Sequence, residues 1–216
     1  LPWRVGKRSN KKLYYRLLSE FMLQQTQVVT VIPYFKRFIK DFPTLHSLSL
    51  GKEQKVLKLW EGLGYYRRAR SLLATAKIIV KKKLRLPETI EEIKKLPGVG
   101  DYTANALLGL VHNKPTIAID GNVKRIFSRI LNKNEKYIDF QKLVAENKKT
   151  LFNSGRNSDF IEAIMELGAL ICKPKLPQCH KCCIKNMCIS LKLKKNFKMK
   201  NKKKIISKNY DIFCFL

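Results

Sequence analysis

Apolar residues recur with the period of an α-helix through most of the chain. Within the segment 12–40, one helix face carries Leu13, Leu17, Phe21, Gln24 and Val28, and Pro33 is expected to start a second helix. Later helical periods cover the segments 52–60, 67–83, 89–95, 101–112, 121–131, 139–152 and 158–171. The nearest approach to an alternating strand, Thr116–Ile119, is too short to anchor a sheet. The pattern therefore predicts an all-α protein.

The net charge of the chain indicates which kind of molecule it binds. The 216 residues include 45 Lys and Arg against 16 Asp and Glu, a formal net charge of +29, and 45% of them are hydrophobic. Such a chain folds around a core, and its basic surface attracts a polyanion whose counterions are released on binding. Nine lysines lie between Lys192 and Lys208, so most of the excess belongs to the preceding part of the chain. A lysine-rich composition from an AT-rich genome explains only part of this charge, and we expect a nucleic acid as partner.

The given sequence shows no pattern of a membrane span or of a signal peptide. No apolar run approaches the ~20 residues of a membrane span, and Leu1-Pro2-Trp3-Arg4 does not open a signal peptide. We expect a cytoplasmic, nucleoid-associated protein of bacterial type with no membrane partner. Since the chain lacks an initiator Met, we expect sequence before Leu1. The apolar stretch Ile205–Leu216 predicts the first strand of a further, truncated domain.

Five of the six cysteines lie close together near the C-terminal end. Four of them have the spacing C-x6-C-x2-C-x5-C, namely Cys172, Cys179, Cys182 and Cys188. Four thiolates in one short loop can hold an iron–sulfur cluster or a zinc ion, and spacing alone does not decide between these two. A disulfide is less expected in a chain without an export signal. Cys183 is interpreted as a bystander beside this site, and Cys214 as a free structural cysteine.

The sequence Leu96-Pro97-Gly98-Val99-Gly100 joins two predicted helices. Two glycines around a small apolar residue allow a tight turn, after which the first amides of the next helix point outward. Free amides at the positive end of a helix bind phosphate without reading the base sequence. The same string is also an ordinary turn between helices. The motif by itself leaves both interpretations open.

Two acidic residues stand out against the basic background. Glu20 shares the apolar helix face of Leu13 and Leu17, where loss of hydration raises the pKa of a carboxyl unless a basic residue pairs with it. It is therefore either a proton donor or half of a structural ion pair. Asp120 precedes a predicted helix, so it can cap that helix, and it can also stabilise positive charge developing on a sugar.

These motifs resemble those of the helix-hairpin-helix DNA glycosylase superfamily. Its signatures here are the hairpin followed by Asp101-Tyr102-Thr103-Ala104, the cysteine spacing, and Asp120-Gly121-Asn122-Val123-Lys124-Arg125. The string Ser19-Glu20-Phe21-Met22-Leu23-Gln24-Gln25-Thr26-Gln27-Val28 is nearly diagnostic of the MutY family of adenine glycosylases. Supporting matches are Leu1-Pro2-Trp3-Arg4, Trp60-Glu61-Gly62-Leu63-Gly64-Tyr65-Tyr66 and Met165-Glu166-Leu167-Gly168-Ala169. The resemblance runs from Leu1 to about Cys188.

The resemblance implies two helical lobes with the DNA site in the cleft between them. A six-helix barrel that includes the hairpin would cover 12–115. A lobe carrying a 4Fe–4S cluster on the four spaced cysteines would cover 1–11 and 116–192, and 193–216 would be a basic linker leading into a domain that resembles the MutT/Nudix fold. One departure is Cys183, which stands where these families usually have Pro.

The resemblance also implies roles for individual residues. Glu20 would protonate adenine, Asp120 would stabilise the sugar cation, and Tyr102 and Asn122 would assist. Tyr102 stands where relatives resembling endonuclease III have a Lys, and a phenol cannot form the Schiff base of a strand-cutting enzyme. Contacts to the base and the DNA are implied for Trp3, Arg4, Leu23, Gln24, Gln25, Tyr65, Leu96, Gly98, Val99 and Gly100.

The implied activity is that of a monofunctional, monomeric glycosylase that removes adenine opposite 8-oxoguanine or guanine in duplex DNA. One alternative is a mismatch thymine or uracil glycosylase, a relative that also has Tyr at the Lys position but lacks the string around Glu20. A second alternative is a non-catalytic DNA-binding module that keeps the hairpin and the cluster. The presence of both Glu20 and Asp120 argues against this module.

Overall fold

The computed structural model describes residues 1–5 and 11–193, which form twelve α-helices and no β-strand. The helices are α1 (Lys12–Leu23), α2 (Val28–Asp41), α3 (Leu45–Ser49), α4 (Glu53–Trp60), α5 (Arg67–Lys81), α6 (Ile90–Lys94), α7 (Asp101–His112), α8 (Gly121–Leu131), α9 (Phe140–Glu146), α10 (Lys148–Leu151), α11 (Asn157–Glu166) and α12 (Ile189–Lys192). The predicted all-α class is confirmed. The stretch Ile205–Leu216 and Cys214 lie outside the described residues.

Helices α1 to α7 enclose the larger hydrophobic core. Helix α1 runs through its middle, and every residue from Tyr14 to Met22 is buried. Aromatic rings pack edge to face around it, with centroids 5.2 Å apart for Tyr15 and Phe35 and 6.3 Å apart for Phe38 and Trp60. Because α1 is buried on all sides, the polar residues in it lie in the interior and need partners there.

A second core lies under helices α8 to α11 and the cysteine loop. It is built from Ile117, Val123, Ile126, Phe127, Phe140, Phe152 and Ile164. A smaller cluster of Ala106, Leu110, Ala118 and Ile161 joins α7 to α11. Gly109 permits this close approach, because a Cβ there would clash with Cδ1 of Ile161. The two lobes therefore meet along α7 and α11.

The observed helix boundaries differ most from those predicted by the helical periodicity in three places. Helix α2 begins at Val28, so the prediction that Pro33 starts the helix is wrong; Pro33 lies inside α2. The chain breaks earlier because Gln25 adopts a positive φ of 58°, which ends α1. The predicted helix 139–152 is divided at Asn147 into α9 and α10, and the helix predicted to 171 ends in a π-turn, Leu167–Ile171.

The N-terminal segment contacts both lobes. Trp3 is buried in the larger core, where its ring centroid lies 5.3 Å from that of Phe35. Arg4 forms ion pairs with Glu162 and Glu166 of α11. The assignment of 1–11 to the cluster lobe stays a prediction, with Trp3 packing on the barrel side. Within the described residues, no helix is long and apolar enough to span a membrane.

Candidate active site

An open cavity of about 730 Å³ lies where α1, α5, α7 and the start of α8 converge. It brings together most of the residues that the sequence singled out. Its lining consists of Glu20, Leu23, Gln24, Gln25, Tyr65, Arg67, Arg68, Ser71, Gly98, Gly100, Tyr102, Thr103 and Asp120. Trp3 and Arg4 are not among these lining residues.

Glu20 lies at the base of this cavity with 7% of its surface exposed. Burial raises the pKa of Glu20 to about 7, with a smaller upward contribution from Asp120, while Arg16 acts in the opposite direction. With this raised pKa, the protonated form of Glu20 is populated near neutral pH. A protonated carboxyl that borders an open cavity has the properties of a general acid.

Asp120 is both a helix cap and a wall of the cavity. Its Oδ1 accepts a hydrogen bond of 2.8 Å from the backbone N–H of Val123, which caps α8. Its Oδ2 accepts one of 2.9 Å from the side-chain amide of Asn122. The two interpretations left open by the sequence are compatible, because the capping carboxylate also faces the cavity.

Asn122 is held in place by Arg125, a residue that sequence reasoning did not single out. Arg125 Nη2 donates to Asn122 Oδ1 and to the carbonyl of Gly168, each at 2.7 Å, and Arg125 Nε donates to the carbonyl of Cys172 at 2.8 Å. Gly168 allows this packing, since a Cβ there would lie 2.6 Å from Cβ of Asn122. The cysteine loop is thus connected to the capping carboxylate by hydrogen bonds.

Tyr102 stands in the first turn of α7 and also lines the cavity. Burial raises the pKa of Tyr102, and the neighbouring carboxylates of Glu20 and Asp120 raise it further. The phenol therefore keeps its proton at physiological pH. It can donate a hydrogen bond in the cavity, but it offers no amine.

The hairpin between α6 and α7 is fixed against α5. Gly98 has φ of 74°, and a Cβ there would lie 2.6 Å from Cβ of Ser71, so both the conformation and the space call for glycine. The side chains of Leu96 and Val99 are buried, with 4% and 7% exposed, and anchor the turn. Any contact of these two residues with DNA would come from their backbone. Gly100 begins α7 without a side-chain cap and has open space beside it.

Arg68 joins two loops that border the cavity, namely residues 24–27 between α1 and α2 and residues 61–66 between α4 and α5. Its guanidinium donates to the carbonyls of Phe21, Met22, Gln24, Leu63 and Gly64 and to the hydroxyl of Thr26, at 2.5–3.2 Å. These loops contain Gln25 and Tyr65, both with positive φ. Sequence reasoning missed Arg68 because its acceptors are backbone carbonyls, which leave no mark in the sequence.

The four spaced cysteines face one small pocket in the second lobe. Cys172, Cys179, Cys182 and Cys188 line it together with Arg129. Arg129 Nη1 lies 3.3 Å from Cys172 Sγ, a contact that stabilises a thiolate. Cys183 is exposed and does not line the pocket. In the part of the chain that the structure describes, no three His, Cys, Asp or Glu side chains are arranged so as to hold a single metal ion.

Comparison with known protein families identifies the family of this chain. Residues 18–150 match the HhH-GPD superfamily base excision DNA repair protein family. The chain belongs to this superfamily. The match begins within α1, ends within α10 and includes the hairpin, so the predicted helix-hairpin-helix fold is confirmed.

Adenine DNA glycosylases are among the relatives of this HhH-GPD chain. It is 41% identical over its full length to that of Buchnera aphidicola subsp. Baizongia pistaciae, and 37% identical over 87% of its length to that of Rattus norvegicus. The chain spans 62% of the Buchnera relative and 38% of the rat relative. The predicted resemblance to adenine glycosylases is thereby confirmed.

Solved structures show the same fold. A thermostable thymine-DNA glycosylase superposes with a TM-score of 0.73 at 25% identity, covering 89% of this chain and 88% of the other. A non-covalent endonuclease III–DNA complex superposes with a TM-score of 0.65 at 23% identity, covering 89% and 90%. The second likeness concerns the fold alone.

Proposed function

We propose that this chain is a monofunctional DNA glycosylase that excises adenine opposite 8-oxoguanine or guanine in duplex DNA, within base excision repair. The observation that carries the proposal is the buried carboxyl of Glu20, with its pKa raised to about 7, in the same cavity as the capping carboxylate of Asp120. One group supplies a proton, and the other supplies a negative charge. The relatives named adenine DNA glycosylase support the same substrate.

Cleavage of the bond between adenine and deoxyribose needs both groups. Protonation of N7 makes adenine a better leaving group, and Glu20 holds that proton near neutral pH. As the base departs, positive charge develops on the sugar, and the Asp120 carboxylate stabilises it. Asn122 fixes the orientation of Asp120. The Tyr102 phenol, which keeps its proton, would donate a hydrogen bond to the bound substrate. A water molecule then adds to the sugar carbon and gives up a proton to the ionised Glu20, which leaves an abasic site and restores the acid.

The cavity walls suit a base turned out of the duplex. Turning a base out costs a few kcal/mol, which contacts with the DNA must offset. Gln24, Gln25 and Tyr65 project from the loops joined by Arg68 and would fill the vacated space, with Leu23 beside them. The uncapped N-terminus of α7 at Gly100 would bind a phosphate of the same duplex. The proposed partner is therefore double-stranded DNA, and we propose that a monomer binds it.

The cysteine pocket would hold a 4Fe–4S cluster. Four thiols around one pocket, with the Arg129 guanidinium beside Cys172, match the donor set and the charge compensation that such a cluster needs. When bound, the cluster cross-links the loop by iron–thiolate bonds. Arg125 connects that loop to Asn122, so the loop helps to position the active-site carboxylate.

A thymine mismatch glycosylase is the second candidate, favoured by the TM-score of 0.73. A panel of duplexes with adenine opposite 8-oxoguanine, adenine opposite guanine, or thymine opposite guanine separates the two. We expect alkali-sensitive sites on the adenine strand of the first two duplexes and none on the third. Preferred removal of thymine would transfer the assignment to the second candidate. Binding without removal of any base would leave a DNA-binding module.

The product strand is predicted to stay intact until alkali treatment. Tyr102 lies where a lyase has its amine nucleophile, and a phenol cannot form an imine with the sugar aldehyde. Electrophoresis without alkali should show uncut DNA, and borohydride should trap no covalent adduct. Tyr102→Lys serves as the matched variant, since it introduces the missing amine. Efficient trapping by the unaltered chain would contradict a monofunctional mechanism.

The purified protein is predicted to be brown, with broad absorbance near ~400 nm. Cys183→Ser is expected to keep this absorbance because Cys183 lies outside the cysteine pocket, whereas Cys182→Ser is expected to lose it. Absorbance spectra and metal analysis of the two variants check this. A colourless protein with one zinc, or bleaching in Cys183→Ser alone, would contradict the ligand assignment.

A further inference from the structure

Arg16 lies one helical turn before Glu20 on α1. This spacing of four residues is one at which Arg and Glu on a helix commonly pair. Arg16 has only 6% of its surface exposed, so its charge is poorly screened by water. A direct pair with Arg16 would keep Glu20 ionised and would remove the proton that the proposed function needs. The position of the Arg16 guanidinium therefore matters for catalysis.

The guanidinium of Arg16 turns instead towards α11. Its Nη2 donates a hydrogen bond to Glu162 Oε1. The second oxygen of Glu162 lies 3.0 Å from Nε of Arg4, and Arg4 also pairs with the more exposed Glu166 at 2.9 Å. Among the ion pairs of residues 1–5 and 11–193, Arg16 is joined to Glu162 and not to Glu20. Glu162 thus forms ion pairs with both Arg16 and Arg4.

The other groups around Glu20 come from different elements. Asp120 faces it from the start of α8 and Tyr102 from α7. Helix α5 contributes Arg68, whose guanidinium is bonded to backbone carbonyls beyond Glu20. Helix α2 packs on α1 through apolar contacts such as Phe35 with Tyr15. Arg16 is the cation with the strongest opposing influence on Glu20, and Glu162 determines where that cation lies.

We propose that Glu162 is a positioning residue that draws Arg16 away from Glu20 and so preserves the proton-donating form of the acid. The proposal rests on the proposed function of Glu20 as the acid for adenine removal. It assigns a role to an ion pair that joins residues 146 positions apart. Without Glu162, the buried guanidinium loses its carboxylate, and Glu20 is an acceptor one turn away on the same helix.

The experiment measures single-turnover adenine release from pH 5.5 to 9 for the full chain and four variants. In Glu162→Gln, we expect the midpoint of the pH profile to fall by about 1 pH unit or more, because a direct cation lowers the pKa of a carboxyl by this amount. The rate at pH 7.5 should fall about tenfold or more and recover on acidification. In Arg16→Met, the midpoint should rise. In the double variant, the downward shift should be absent, since no guanidinium remains to pair with Glu20.

Glu166→Gln is the matched control, because within residues 1–5 and 11–193 Glu166 pairs with Arg4 and not with Arg16, so its midpoint should not move. Carbon-13 NMR of the Glu20 carboxyl, assigned by its loss in Glu20→Gln, follows the same titration without substrate. If the unaltered chain releases no adenine, the proposed function is overturned. The role of Glu162 can still be tested in that case, because the NMR titration of Glu20 needs no substrate. Arg16→Met keeps it valid if Glu162→Gln does not fold. An unmoved or raised midpoint in Glu162→Gln, an unmoved midpoint in Arg16→Met, or a downward shift that persists in the double variant would overturn the proposal.

Discussion

Glu20→Gln is expected to lower the single-turnover rate of adenine release by ~100-fold or more, with little change in duplex affinity. Gln matches the size of Glu and cannot give up a proton to N7. The substitution leaves the hairpin that would bind phosphate unaltered, so DNA binding should persist. Excision rates and fluorescence anisotropy with one duplex, measured on the same samples, check both parts. Glu53→Gln, which alters an exposed ion pair with Arg70, is the control and should stay active.

The same substitution is expected to stabilise the protein at alkaline pH. Folding raises the pKa of Glu20 from 4.5 to about 7, so the folded chain binds this proton more tightly than the unfolded chain. Stability is therefore lost as pH rises from about 4.5 through about 7, by up to about 3 kcal/mol at 1.36 kcal/mol per pKa unit. Thermal unfolding at pH 6 and pH 8.5 should show that Glu20→Gln removes this loss. A destabilised but active Glu20→Gln variant would mean that Glu20 is only a structural residue.

Asp120→Asn is expected to reduce adenine release by ~100-fold or more while preserving the fold. Asn is also a good N-cap, so its oxygen can still accept the hydrogen bond from Val123, but the negative charge facing the sugar is lost. Asp139→Asn is a close control, because Asp139 caps α9 through Gln141 and Lys142 and does not line the cavity. The two variants should have similar melting temperatures, whereas only Asp120→Asn should show a reduced excision rate. Equal activity of both variants would reduce Asp120 to a helix cap.

Local signals explain why some helices could be predicted to the residue. The bounds of α7 and α8 agree with the predicted 101–112 and 121–131, because a glycine turn precedes the first and an Asp cap precedes the second. The break after α1 was placed too late, since Pro33 was a stronger sequence signal than the positive φ of Gln25. Helix α3 was missed by the sequence analysis, although Thr44 and Ser47 form a capping box at its start.

Some residues of the candidate site could be predicted from the sequence, and others could not. Glu20, Tyr102 and Asp120 belong to short strings that mark a family, so the sequence identified them, and the structure places them in one cavity. Arg68 and Glu162 act through partners that the fold brings close, the latter across 146 positions. The bonds from Arg68 to the end of α1 and its C-cap span 44 to 47 positions, so no short window of the sequence contains them. The residues that position the site therefore became visible only in three dimensions.

The pH dependence of adenine release by the unaltered chain tests the central claim most directly. Glu20 must carry a proton to act as the acid, and its pKa is about 7. With enzyme in excess over a duplex that holds one adenine opposite 8-oxoguanine, the rate constant should be level below about pH 6. Above about pH 7 it should fall, approaching tenfold per pH unit, as Glu20 ionises. A rate constant that stays level to pH 9, or one that rises with pH, would contradict the assignment of Glu20 as the acid.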